Sequence, residues 1–198
     1  MAIQRPAVPK AEKVQLGEGV VVFNFNPNNW DDNNTVPFGA TRGGGSYTVE
    51  PTNHPIRFDG DRGENTKGMK RRMEWNITIE TTALELDLEN IAKIMPGKIN
   101  EVDEASDVPN YKLYRPNVEF TEEDYIDNMA YITETKDGRL VAYVIENVLG
   151  DGTLTAAFAE QDELTSEVTF TAHFDPNKMN SVPTYVVYYE KEQSEIEE

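Results

Sequence analysis

Between Met73 and Thr82 the chain alternates: Met73, Trp75, Ile77 and Ile79 fall on one side, and Glu74, Asn76, Thr78 and Glu80 on the other. A period of two suits a strand with one buried face, and a helix cannot bury such a pattern. Leu164 to Phe174 alternates again, with Leu164, Val168, Phe170, Ala172 and Phe174 set against Thr165, Glu167, Thr169, Thr171 and His173. Two apolar runs, Met129 to Glu134 and Leu140 to Ile145, flank Lys136-Asp137-Gly138. Asp-Gly supplies the positive φ that tight hairpin turns require. Both runs are apolar on both faces, which predicts a central place in a sheet. Gly19 to Phe25 (GVVVFNF) adds a strand rich in β-branched and aromatic residues. The pattern predicts a mainly β fold, an antiparallel β-sandwich or partly closed barrel, with one flanking α-helix.

That helix is expected at Asp87 to Met95, where Asp87 caps the start, Leu88, Ile91, Ala92 and Met95 line one face, and Pro96-Gly97 stops it. Residues 1–16, with Pro6 and Pro9 and no periodicity, read as an N-terminal arm; 17–176 form the β domain; 177–198 form a C-terminal arm and acidic tail containing one apolar run, YVVYY at 185–189. Asn24 to Asn34 is asparagine-rich and reads as a loop. A long inter-strand loop is expected at about 43–72, with a kink or bulge at Gly43-Gly44-Gly45, an irregular excursion from Pro51 to Lys70, and a short strand at Ile56 to Phe58 within it. Strands are also expected at Tyr114 to Phe120 and Thr153 to Ala159, an acidic loop at Glu101 to Asn110, and an acidic turn at Glu160 to Glu163.

The chain has 198 residues and no cysteine, which excludes disulfides, thiolate metal sites and a cysteine nucleophile. No apolar run approaches the ~20 residues needed to cross a bilayer, and Met1 to Lys13 lacks the apolar stretch of a signal peptide. Asn33 and Asn76 begin glycosylation-type triplets that, without a secretion signal, read as chance. Net charge is −18 and uneven: residues 1–72 hold 10 Lys/Arg against 8 Asp/Glu, and residues 73–198 hold 8 against 28. So acidic a surface repels nucleic acid unless basic residues cluster elsewhere.

Searches for chemistry fall short. The two histidines, His54 and His173, sit in no motif. Ser46 follows three glycines, but the sequence lacks the last glycine of a nucleophile elbow. Gly63 to Gly68 (GENTKG) resembles a phosphate loop until Met69 and Lys70 stand where Lys and Ser/Thr belong. Gly17 and Gly19 open toward a dinucleotide pattern that then runs into a strand. Asp59-Gly60-Asp61 starts like a calcium loop, but Gly63 and Glu64 break it. With 36 acidic residues, pairs that could act as general acid and base arise by chance. No catalytic, metal or cofactor site is assigned. One cluster stands apart: Lys67, Lys70, Arg71 and Arg72, with Arg57 and Arg62 nearby. It reads as a nucleic-acid contact, a solvated loop, or a contact with an acidic patch on another subunit.

The run Phe38 to Glu50 (FGATRGGGSYTVE), followed by Ile56 to Gly63 (IRFDGDRG), then Lys67-Gly68 and Arg71-Arg72, resembles the major tail, or tail tube, proteins of long-tailed siphophages of Gram-positive hosts. Asp87 to Gly97 is similar to that family's helix, and Glu167 to Pro176 (EVTFTAHFDP) to its last core strand; the resemblance covers roughly 17–100 and 164–176. It implies a non-enzymatic virion protein whose six-membered rings stack around a tape-measure protein, with tail terminator and distal tail proteins as further partners. The implied location is the phage tail, after assembly in the host cytoplasm, with no membrane. Arg42, Arg57, Arg62, Lys67, Lys70, Arg71 and Arg72 would then lie on a loop reaching a neighbouring subunit or ring. Because DNA carries about one negative charge per ~1.7 Å, an acidic bore lets it slide without specific binding. Glu74, Glu80 and Glu167, on polar strand faces, are the expected lumen residues. Two alternatives stay open: another virion β protein (tail terminator, distal tail or decoration), or an acidic carbohydrate- or calcium-binding β-sandwich using Asp31-Asp32, Asp59, Asp61 and exposed Trp30 and Tyr47.

Overall fold

The computed structural model describes residues 9–10, 13–30, 34–63, 65–101, 111–152, 154–155, 163–178 and 184–191. Most of the expected strand at Thr153 to Ala159, of which only Leu154 and Thr155 are described and neither is in a strand, most of the acidic loop and acidic turn, Asp31-Asp32, Asn33, most of the N-terminal arm and the end of the acidic tail therefore lie outside the described residues. The described residues are mainly β, antiparallel, with one α-helix. The strands are β1 (Gln15–Phe23), β2 (Val36–Pro37), β3 (Thr41–Pro55), β4 (Lys70–Ala83), β5 (Gly97–Glu101), β6 (Lys112–Pro116), β7 (Ile126–Thr135), β8 (Leu140–Leu149), β9 (Ser166–Ala172) and β10 (Tyr185–Tyr189). Eight of them form one sheet in the order β2-β1-β7-β8-β9-β4-β3, with β10 also on β8, while β5 and β6 form a separate hairpin.

The expected central hairpin is β7–β8, paired from Ile126↔Val148 to Glu134↔Leu140, with Gly138 at φ 88° in its turn. One edge of β8 carries β7; the other is shared. Residues 141–145 pair with β10, and Val148 and Leu149 pair with β9. Asn147 stands at the handover with φ 49°, a left-handed conformation that asparagine tolerates better than most side chains. Its amide donates to the His173 carbonyl at 3.1 Å, and the His173 N–H returns a bond to the Asn147 carbonyl at 3.0 Å.

The sheet curls, so strands far apart in pairing order share one core. Val21 and Phe23 of β1, Met129 of β7, Ile145 and Val148 of β8, Ile77 and Ile79 of β4, and Val168 and Phe170 of β9 are buried together. Phe23, Phe38 and Phe170 meet edge to face, with centroids 5.6 to 5.8 Å apart, a geometry aromatic quadrupoles favour. Among the described residues the pairing path nevertheless ends at β2 and β3 and does not close. Where β1 and β3 approach, the Tyr131 ring lies between them and its hydroxyl donates to the Gly17 carbonyl at 3.2 Å. An added Cβ would stand 2.6 Å from that ring at Gly19 and 3.0 Å at Gly45. The expected irregularity at Gly43-Gly44-Gly45 is a register shift between Thr41 and Gly45, and Gly43 and Gly44 take φ 79° and 81°.

The helix α1 (Leu88–Ile94) forms where expected: the Asp87 carboxylate accepts from the Asn90 N–H at 2.7 Å, and Lys93 stands in the last turn, where a cation suits the helix dipole. Ile94 is buried in the core, and Gly150 packs so closely on the Lys93 and Ile94 carbonyls that a Cβ would strike backbone. Residues 24–30, the described part of the Asn24-to-Asn34 segment before Asn34, form turns and loop and no strand. Asn128 grips Phe25, accepting its N–H at 2.6 Å and donating to its carbonyl at 3.2 Å. Phe25 thereby sits on the outer face of the sheet with Val22, Ala130, Ala142 and Val144.

Several expectations are corrected. The long loop at about 43–72 is instead a hairpin: β3 and β4 pair from Ser46↔Glu80 to Pro55↔Lys70, and only residues 56–69 lie outside strands. Pro51 and Pro55 pointed to irregularity, but β3 is an edge strand, where a missing donor is tolerated. Ile56 to Phe58 is not a strand. The apolar run at 185–189, assigned to a C-terminal arm, is β10 and an integral part of the sheet. The strand expected from Tyr114 to Phe120 starts at Lys112 and stops at Pro116, because Asn117 turns away to bond Asp124. Its partner β5 was not foreseen. Met73 was placed on the buried face and is 56% exposed: the register jumps from Thr52↔Glu74 to Asn53↔Arg72, leaving Met73 as an extra residue in a bulge.

Candidate functional site

Beyond Glu50 and Trp75 the β3–β4 hairpin continues as an arm with no core of its own. From Glu50 to Glu74 nearly every described residue is exposed. The tip is ordered by two turns: the Asp61 N–H donates to the Phe58 carbonyl, the Met69 N–H donates to that of Thr66, and the Ile56 N–H donates to the Met69 carbonyl at 2.9 Å. Gly60 and Gly68 take φ 90° and 82° there, a conformation in which glycine meets no steric cost. Ile56, Phe58 and Met69 at the tip and Met73 on the shaft are exposed apolar side chains. A two-stranded ribbon is at best marginally stable in water, and apolar surface at its end is a contact in waiting.

The basic cluster divides along this arm. Arg57 pairs with Asp61 at 3.0 Å across the tip, so Asp61, earlier read as part of a calcium-like start, is occupied by a guanidinium. Arg62 and Lys67 are exposed at the tip. Lys70, Arg71 and Arg72 lie on β4 and not on a loop, opposite Pro55, His54 and Asn53. The Arg72 guanidinium lies 4.8 Å from the centre of the Trp75 ring. Arg42 is separate from the rest: it lies at the start of β3 and pairs with Glu163 at 3.3 Å.

The polar faces of β3, β4 and β9 form one surface. Thr48, Thr78 and Thr171 stand in register across the three strands, and so do Ser46, Glu80 and Thr169. Glu80 accepts from the Ser46 hydroxyl at 3.2 Å, and the Thr171 hydroxyl donates to Asp151 at 2.8 Å. Glu80 and Glu167 line one shallow depression of about 400 Å³, floored by Gly44 and Gly45. Glu74 shares their strand face but sits six residues along β4, roughly 20 Å from Glu80 at strand rise, at the root of the arm.

The remaining chemical candidates find structural neighbours. His54 is on the arm; His173 packs edge-on to Tyr125 at 5.3 Å, with Nδ1 3.1 Å from the Thr171 carbonyl. Trp30 and Tyr47, expected as exposed aromatics, are half-buried. Trp30 meets Phe25 edge-on at 5.0 Å, and Tyr47 packs on Tyr143. Burial raises the Tyr47, Tyr114 and Tyr131 phenols above their ordinary range, and for Tyr47 the neighbouring Tyr185 and Tyr143 add to it. Among the described residues no three metal-ligating side chains come together, and no helix is long and apolar enough to cross a membrane.

One surface escaped the sequence reading. Where β9 ends, an open groove of about 540 Å³ is lined by Glu122, Tyr125, Asp127, His173, Phe174 and Asp175, among others. Its signal was present in the sequence: residues 118–127 (VEFTEEDYID) hold five carboxylates and no base, interleaved with aromatics. No protein-family model matches the chain, and no curated protein matches it.

Proposed function

We propose that the chain is a non-enzymatic structural subunit that polymerises into stacked rings, forming the tail tube of a long-tailed phage. On this reading the curled sheet is a sandwich-like, partly closed barrel, and the tube encloses a tape-measure protein during assembly, bounded by terminator and distal tail proteins. The observation that carries the proposal is the β3–β4 arm: a ribbon exposed along its whole length, tipped with apolar and basic side chains, on a chain of net charge −18. An isolated ribbon of this kind is stabilised when a second surface covers it. Among the described residues β2 and β3 end the sheet without a further partner, so they are further places for another chain to add. Contacts made head to tail close into rings or run on as filaments. The polar face carrying Glu80 and Glu167 supplies an acidic wall along which DNA would pass without being held.

Negative-stain microscopy of the concentrated protein tests the proposal. Long tubes of uniform width are expected, and the double variant Arg71→Glu/Arg72→Glu should stay folded and form none. A wild-type chain that remains monomeric at every concentration, even with a tail initiation complex and tape-measure protein supplied, sinks it.

A further inference from the structure

Resting on the reading that copies of this chain assemble, we infer that the groove beside Tyr125 and Phe174 is the socket for the β3–β4 arm of a second copy. Two surfaces of the same chain complement one another in charge and in apolar character. The arm, residues 51–73, holds six Lys/Arg against three Asp/Glu. The groove is lined by Glu122 and Asp127, and by Asp175, which pairs with Lys178 at 3.7 Å; the segment leading into it adds Glu119 and Glu123, with no base from 118 to 127. The arm's exposed apolar groups are Ile56, Phe58 and Met69; the groove's apolar lining is Tyr125, Ile126, Pro176 and Phe174, the last 42% exposed.

The socket is built in advance. Asp124 accepts from the Thr121 N–H at 2.7 Å and from the Asn117 amide at 2.7 Å, which fixes the turn that carries Glu122 and leads into Tyr125. Asn147 and His173 tie the opposite wall to the centre of the sheet. A preorganised wall spares the ordering cost that otherwise weakens association. Apolar anchors supply the affinity of such a contact, and the surrounding charges set register and exclude wrong partners. No described residue of the arm lines the groove of its own chain. Arm and socket are different patches, so the contact can run head to tail from copy to copy, as a growing tube needs.

The absence of cysteine makes the test direct. Met69→Cys and Phe174→Cys are prepared as separate chains, mixed, concentrated and treated with a short bis-maleimide. A mixed cross-linked dimer is expected in clear excess over a mixture of Met69→Cys with Val20→Cys, whose site is also exposed but lies on β1. Independently, Glu122→Lys/Asp127→Lys should weaken self-association about tenfold, and mixing that chain with Arg71→Glu/Arg72→Glu should recover most of the loss. Cross-linking no stronger than the Val20 control, or unaltered association of the groove variant, overturns the socket. Both readouts are taken whether or not tubes form. Tubes without the 69–174 cross-link refute the socket and leave the tube standing; the cross-link without tubes does the reverse.

Discussion

Tyr131 occupies the space that a side chain at Gly45 would need: a Cβ built on Gly45 stands 3.0 Å from the tyrosine Cε2 and 2.7 Å from the Glu80 carbonyl. The ring belongs to β7 in the middle of the sheet, and the glycine to β3 at its edge. Their contact is what lets the curled sheet bring its far strands together.

Gly45→Ala should therefore destabilise the fold by about 1–3 kcal/mol, as overpacking does. Tyr131→Ala should cost more, about 3–5 kcal/mol, by removing a large buried ring. The double variant should cost less than the sum, because the ring's share of the clash goes with the ring while the approach to the Glu80 carbonyl remains. Urea unfolding midpoints of the four proteins check this, and strict additivity would show that the two residues do not share the space.

Tyr47 is held against Tyr143 and Tyr185, and its buried hydroxyl has no hydrogen-bond partner among the described residues. Tyr47→Phe keeps the ring and removes the unsatisfied group, so it should stabilise the protein by about 1 kcal/mol. A loss of stability on thermal or chemical unfolding would count against the burial of that hydroxyl.

The phenols of Tyr47, Tyr114 and Tyr131 are raised by burial. A group whose folded value exceeds its unfolded one contributes stability fully below the unfolded value, about 10 for a phenol, and loses it as pH rises through the folded value. Absorbance titration should show Tyr47, Tyr114 and Tyr131, among the nine tyrosines, ionising late and abruptly, together with loss of the folded circular dichroism signal. A single smooth transition of all nine in folded protein would contradict this.

How much of this was legible in the sequence follows from what each element depends on. The β7–β8 turn, the Asp87 cap and the buried set Ile77, Ile79, Val168 and Phe170 depend on local chemistry and period, and they were readable. The arm was not, because prolines and glycines weigh toward a loop until one knows that β3 is an edge. Met73 failed for a related reason: alternation marks a strand but does not mark where the core beneath it ends. β10 was missed because five apolar residues do not reveal which strand has an open edge. Glu80 and Glu167 were chosen from separate segments, and the register of β4 and β9 places them on one depression; the groove beside Tyr125 needed β7, β9 and a 3-10 turn to meet.

If the face bearing Glu80 and Glu167 lines a conduit, Glu80→Lys/Glu167→Lys should leave tube length unchanged and make the tubes retain short duplex DNA, with binding that weakens steeply as salt rises. Gel-shift and sedimentation of purified tubes read this out. Unaltered DNA binding in well-formed variant tubes would place the two carboxylates elsewhere.

The shared edge of β8 carries a consequence for biosynthesis. The strand at the heart of the sheet is translated by residue 149, yet the neighbour for residues 141–145 is not made until 185–189. A nascent chain thus leaves the ribosome with its most apolar hairpin half-covered, and vectorial folding from the N-terminus cannot finish it. Chains truncated after about residue 180 should remain protease-sensitive and sticky, and resistance should return in one step when the Tyr-Val-Val-Tyr-Tyr segment is restored.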